Sequence, residues 1–102
     1  MTQDLYTLQQ KIIDWARDRG ILEYGSSLGQ IKLLSTEVVE LYDAIVTCDI
    51  EEEKSELGDI LVVCTIIAHM RDFTLSDAYN KAWEKIKDRK GKLDKDGVFR
   101  KE

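Results

Sequence analysis

Apolar residues recur along this chain at intervals of three and four, which predicts helices rather than strands. Leu5, Leu8, Ile12, Ile13 and Trp15 share one face of a first helix that ends near Gly20. A loop through Glu23-Tyr24-Gly25-Ser26-Ser27 follows, and either serine is placed to cap the next helix. That second helix carries Ile31, Leu34, Val38, Leu41 and Ile45 in steps of 3, 4, 3 and 4, a seam for packing on another helix. Asp49, three residues ahead of Glu52, marks a third helix start, with acids near the positive end of the dipole. The third helix is apolar nearly all round, through Leu57, Ile60, Leu61, Val62, Val63, Cys64, Ile66, Ile67 and Ala68. Such a helix belongs at the centre of a bundle or in a subunit interface. Thr74, with Asp77 three residues on, caps a fourth helix bearing Ala78, Ala82, Trp83 and Ile86, which fades at Arg89-Lys90-Gly91. The stretch from Leu93 to Phe99 fits a short hairpin or a pinned tail. The expected architecture is an all-α four-helix bundle in a single domain over residues 1–102. Its helices fall at about 3–19, 27–48, 50–71 and 75–90, with a basic tail at 91–102.

The chain has no proline, and most of its six glycines lie at element ends, which supports helices over a turn-rich sheet. At 102 residues there is room for one domain. A four-helix chain this short hardly encloses its third helix alone, so a homo-oligomer, dimer or tetramer, is expected. Fifteen basic against twenty acidic residues give a net charge of −5, which argues against direct nucleic-acid binding or an anionic membrane surface. No apolar run approaches the roughly 18 residues of a membrane span, and Met1-Thr2-Gln3-Asp4 lacks the features of a signal peptide. A cytoplasmic location follows as the expectation. Cys48 and Cys64 fall at different heights on neighbouring helices, too far apart for a disulfide, and are expected as buried thiols. Trp15 and Trp83 are expected in the core, and His69 as a structural or helix-end residue.

Glu37 and Glu40 are three apart, as are Glu56 and Asp59, so each pair shares one face of its helix. With helices two and three antiparallel about a turn centred between Asp49 and Ile50, all four carboxylates lie at nearly one level, roughly 10–20 Å from the turn. Glu56 and Asp59 run at helical spacing into Val63, Ile66 and Met70, and Glu37 and Glu40 are set among Leu33, Leu34, Val38, Val39 and Leu41. Four acids converging beside apolar surface repel one another and lose solvent unless something neutralises them. A hard divalent cation does so, and Mg2+, with Mn2+ as a substitute, suits carboxylates that also receive substrate phosphates. The competing reading is four solvated surface acids. A di-iron site is excluded, because it needs Glu-x-x-His motifs and the residue three before His69 is Ile66. No Ser/His/Asp or Cys/His arrangement and no glycine-rich phosphate loop is present. The basic end is uneven with the rest: residues 81–102 hold nine basic and five acidic side chains, residues 1–80 six and fifteen. Lys85, Lys87, Arg89, Lys90 and Lys92 either meet polyphosphate oxygens or form a solvated helix face.

Glu37-Val-Val-Glu40-Leu, followed after fifteen residues by Glu56-Leu-Gly-Asp59-Ile-Leu, resembles the MazG-like all-α nucleoside triphosphate pyrophosphohydrolases. Trp15-Ala-Arg-Asp-Arg-Gly20-Ile and Ala82-Trp83 through Lys87-Asp88-Arg89-Lys90-Gly91-Lys92 are similar to the short, single-domain phage and bacterial branch, so the likeness covers nearly the whole chain. The resemblance implies hydrolysis of a (d)NTP to the (d)NMP and pyrophosphate, in nucleotide-pool control. It implies that Glu37, Glu40, Glu56 and Asp59 hold Mg2+, which polarises the phosphate and lowers the pKa of the attacking water. Lys85 and Arg89 would contact phosphates, with Trp15 or Gln30 near the base. It also implies a homo-oligomer. Many relatives have an acid just before the first motif glutamate, where this chain has Thr36. Many also have an asparagine after the fourth-helix aromatic, where it has Glu84. The rival readings are a non-catalytic nucleotide- or protein-binding module of the same fold, and a hydrolase of another pyrophosphate-containing nucleotide.

Overall fold

A computed structural model describes residues 2–102. Helix α1 spans Leu5–Asp18, α2 Ile21–Tyr24, α3 Ser27–Val46, α4 Ile50–Met70 and α5 Leu75–Ile86, followed by strands β1 Gly91–Leu93 and β2 Phe99–Lys101. About 70% of the chain is helical, an all-α architecture. Each long helix starts at a side-chain cap that satisfies a backbone N–H left over by the first turn, worth about 1 kcal/mol apiece. The Asp4 carboxylate accepts from the Thr7 N–H at 2.7 Å, Ser26 Oγ from Gly29 at 3.0 Å and Asp49 from Glu52 at 3.1 Å. Of the two serines, Ser26 is the cap. At α5 the cap is reciprocal: Thr74 Oγ1 accepts from the Asp77 N–H, and the Asp77 carboxylate accepts from the Thr74 N–H. The loop expected over 23–27 is shorter than the sequence suggested, because Ile21–Tyr24 closes one helical turn between Gly20 and Gly25. Gly20 sits at φ +78°, a left-handed conformation in which a side chain is strained.

Helix α4 is the hub. α3 packs along it through a three-residue turn, α1 crosses it, and α5 touches it lightly. The apolar seam on α3 therefore divides. Leu34 and Leu41 are partly covered, together with buried Ala44, while Ile31, Val38 and Ile45 stay exposed at 48%, 51% and 53%. On α4, Val63, Ile66 and Ala68 are buried. The chain is nevertheless open: its radius of gyration is 15.9 Å, against about 13 Å for a compact chain of this length. No large side chain among the described residues is completely buried.

Two expectations, for the tryptophans and for the cysteines, are corrected here. Trp15 and Trp83 are exposed, not core. Trp83 lies on a helix packed along only a small part of its length, and the Arg19 guanidinium covers Trp15 at 5.9 Å from the ring centre. Cys48 is exposed, because it occupies the turn itself at φ +57°; Cys64 is half-buried. His69 ends α4 on the surface, near the negative end of the dipole. The last residues form a hairpin. Asp94 Oδ1 accepts from the Asp96 and Val98 N–H groups, and its Oδ2 accepts from Arg100 Nε. Gly91 lies so close to Arg100 O that a β-carbon would stand 2.1 Å from it. Among the described residues no helix is long and apolar enough to cross a membrane.

Candidate metal centre

The turn between α3 and α4 sets the level of every acid on the hairpin. α3 ends at Val46 and α4 begins at Ile50, so the reversal is centred on Cys48, not between Asp49 and Ile50 as the sequence suggested. Glu37 and Asp59 then stand eleven residues either side of the centre, and Glu40 and Glu56 eight. The corrected centre narrows the spread in level of the four acids, which fall in two matched pairs three residues apart.

Glu37, Glu56 and Asp59 each direct a carboxylate oxygen to a common point, the three atoms lying within 4.8 Å of one another. Glu56 is 7% exposed, Glu37 half-buried and Asp59 exposed, so the group spans from the helix–helix contact to the surface. Glu40 is not in this set. It lines an open hollow of about 400 Å³ on the turn side of Glu56, together with Asp43, Ala44, Thr47 and Glu52. Asp59 also edges an apolar cleft of about 400 Å³ between α1, α4 and α5, walled by Leu5, Leu8, Ile12, Val62 and Tyr79.

The electrostatics are those of a site short of positive charge. Glu37 Oε2, Glu56 Oε2 and Gln30 Oε1 are buried and accept no hydrogen bond from the described residues. The described ion pairs join Arg17 to Asp14, Lys54 to Glu51, Lys87 to Glu84 and Arg100 to Asp94, and none reaches the cluster. Crowding therefore holds protons on. The Glu52 carboxylate beside it, then loss of solvent, then Glu40 and Glu37 push Glu56 from 4.5 up to about 8. Burial, with repulsion from Glu40 and Asp59, raises Glu37. Converging oxygen donors with two orphaned buried oxygens are what a hard divalent cation takes, so the residues present fit one.

Lys85 and Arg89 are not joined to this centre within the chain. Lys85 lines a separate groove with Phe73, Asp77 and Lys81, and neither it nor Arg89 forms an ion pair among the described residues. Glu84 is held by Lys87 at 2.8 Å. Sequence reasoning passed over Glu52 as part of this neighbourhood. The signal was there, since Glu52 precedes Glu56 by four residues and shares its face, but an acid three residues past a cap already has a local explanation.

No curated protein and no solved structure gives a significant match to the chain. Residues 26–93 match the family model of the MazG nucleotide pyrophosphohydrolase domain, a span that takes in the whole α3–α4 hairpin with Glu37, Glu40, Glu52, Glu56 and Asp59. With two-thirds of its length in that match and its acids converging on the same hairpin, the chain belongs to the MazG nucleotide pyrophosphohydrolase domain family.

Proposed function

We propose that this chain is a Mg2+-dependent pyrophosphohydrolase that cleaves a (d)NTP to the (d)NMP and pyrophosphate, as one cytoplasmic domain over residues 1–102 acting in nucleotide-pool control. The observation that carries this reading is the convergence of Glu37, Glu56 and Asp59 with two buried oxygens left unpartnered, in a hydrolase family. These three, with Glu40 one turn beyond Glu37, would hold the cation. When bound, Mg2+, or Mn2+ in its place, supplies Lewis-acid polarisation of the phosphate and a more acidic water. The apolar cleft beside Asp59 offers a nucleobase a dry wall next to that point. Lys85 and Arg89, which form no ion pair among the described residues, are assigned to phosphate oxygens. The test is product analysis across a panel of (d)NTPs with Mg2+. Equimolar monophosphate and pyrophosphate are expected from at least one nucleotide. Release of inorganic phosphate with the (d)NDP would move the cut to the other bond and overturn the assignment. Silence across the panel would favour the non-catalytic module.

The same reading includes a homo-oligomer. Ile31, Val38, Tyr42 and Ile45 form an exposed stripe on α3 at helical spacing, beside a chain too open to cover them itself. The stripe carries no charge, and a second copy of the chain supplies a matching apolar face. Light scattering is expected to give a multiple of the 11.8 kDa chain mass for the wild type. Val38→Asp, which places a charge in the middle of the stripe, is expected to give the single-chain mass with helical content retained. A wild-type protein of single-chain mass would sink the oligomer.

A further inference from the structure

Helix α4 carries in its interior a glycine that the fold of the chain does not require. Gly58 stands between Glu56 and Asp59, near the middle of a helix of 21 residues. Glycine at such a place weakens a helix relative to alanine, because it gives up more backbone freedom on folding. A left-handed backbone or a close neighbour is the usual reason to keep one. Gly20 has the first, at φ +78°, and Gly91 the second, with the Arg100 carbonyl against it. Gly58 has neither. It keeps helical backbone, and a β-carbon there would meet nothing within 4 Å apart from its chain neighbours and the adjacent backbone of α4.

The space left open there belongs to the cleft of about 400 Å³ between α1, α4 and α5, which Gly58 and Asp59 line side by side. That volume is within the range of small-molecule sites, about 300–1,000 Å³. Along α4 the cleft changes character. Lys54 and Ser55 edge it on the turn side, Gly58 and Asp59 come next, and Leu61 and Val62 follow. Val62 is about 6 Å beyond Gly58 on the same helix face, at ~1.5 Å per residue. Leu8 from α1 and Tyr79 from α5 face that apolar stretch. Of the three converging acids, Asp59 is the one that also borders the cleft. A ligand held at the acids by one end therefore continues into the cleft across Gly58.

We propose that Gly58 is a substrate-binding residue because it has no side chain: the pentose of the nucleotide lies against the bare α4 backbone there, between the cation at Asp59 and the nucleobase on the apolar wall. The inference rests on reading the chain as a (d)NTP pyrophosphohydrolase, and it assigns the sugar a place that neither pair of acids provides. A nucleoside triphosphate matches the order along the cleft, since its sugar is the link between its phosphates and its base. A methyl group at position 58 would project into that space. It would strengthen the helix of the empty protein and obstruct the occupied site, so its two effects have opposite signs.

The experiment compares the full wild-type chain with Gly58→Ala by thermal melting without nucleotide, light scattering, titration with Mn2+ alone, and steady-state kinetics on the (d)NTP that the wild type turns over best. The metal-free variant is expected to melt about 4–8 °C higher at unchanged mass, the gain from replacing a helix-interior glycine in a chain of this size. It is expected to bind Mn2+ as the wild type does. Its KM is expected to rise at least about fivefold, the smallest effect of forcing an extra methyl group into a close-packed contact. Its kcat is expected to stay within about twofold, because the sugar contact is present in ground and transition states alike. A variant that melts higher but keeps the wild-type KM would overturn the sugar contact and leave the hydrolase standing. One that melts lower or changes mass would show that Gly58 makes room for protein rather than substrate, and one that binds Mn2+ more weakly would move the effect to the cation; either result overturns the inference. If the wild type hydrolyses no (d)NTP, the proposed function and this inference both fall.

Discussion

Replacing Glu56 with glutamine is expected to reduce pyrophosphate release by at least about 100-fold while leaving the protein folded. Substituting only an outer partner of a metal ligand already costs roughly 10–100-fold, and Glu56 is placed as a ligand itself. It is the one member of the cluster that is nearly out of solvent, and the one that meets acids on both sides. Glutamine keeps the shape and removes the charge, so the α3–α4 contact survives. Removing a buried, uncompensated ionisable group relieves the helix pair, and the metal-free variant is expected to melt no lower than the wild type near neutral pH. Glu51→Gln is the control. It sits one turn earlier, exposed and paired with Lys54, and its loss is expected to leave turnover within about twofold, since surface pairs of this kind are worth little. Turnover preserved in Glu56→Gln would overturn the assignment of the centre.

How much of this was legible from sequence depends on how local each feature is. The helix starts were, because Ser26, Asp49 and Thr74 act on N–H groups three residues away and leave a mark in the string itself. So was the convergence of acids from two helices, since the phase of Glu37 against Leu34 and Leu41 turns it toward α4. The register was not. It hangs on where the chain reverses, and a cysteine adopting φ +57° at the centre of the turn carries none of the composition of a left-handed position. The misplaced centre set Glu40 level with Asp59, where the structure sets Glu40 level with Glu56 and Glu37 level with Asp59. Trp15 and Trp83 show a different limit. Periodicity says that a side chain lies on an apolar face, but whether its own chain covers that face depends on how far α1 and α5 pack against α4. Glu52 shows a third: a residue with a sufficient local explanation hides a longer-range one.

Metal-free protein is expected to lose stability as the pH rises from 4.5 to about 8, the reverse of what most acid-rich proteins do over that range. The sign follows from linkage. Glu56 takes up its proton near 8 in the folded chain and near 4.5 when released, so between these values the native state binds more protons than the unfolded one, and stability falls with each step upward. Glu37, raised by burial, acts in the same direction. Asp4 and Asp94 act in the opposite sense. Backbone N–H groups, of Thr7 and Val98 first, hold them below 3.8, so their contribution is lost only under more acidic conditions and does not overlap the window. A cation at the centre replaces the protons, which reverses the trend: Mg2+ is expected to bind more tightly as the pH approaches 8 and to release protons as it does so. At a hundred times its dissociation constant it adds about 2.7 kcal/mol. For a chain of this size each 1 kcal/mol moves Tm by about 4–8 °C, so the melting point at pH 8 rises by roughly 10–20 °C. Thermal melts across this pH range, with and without Mg2+, check both halves. A metal-free Tm that climbs toward pH 8, or one that Mg2+ leaves in place, would show that the carboxylates are solvated surface acids after all.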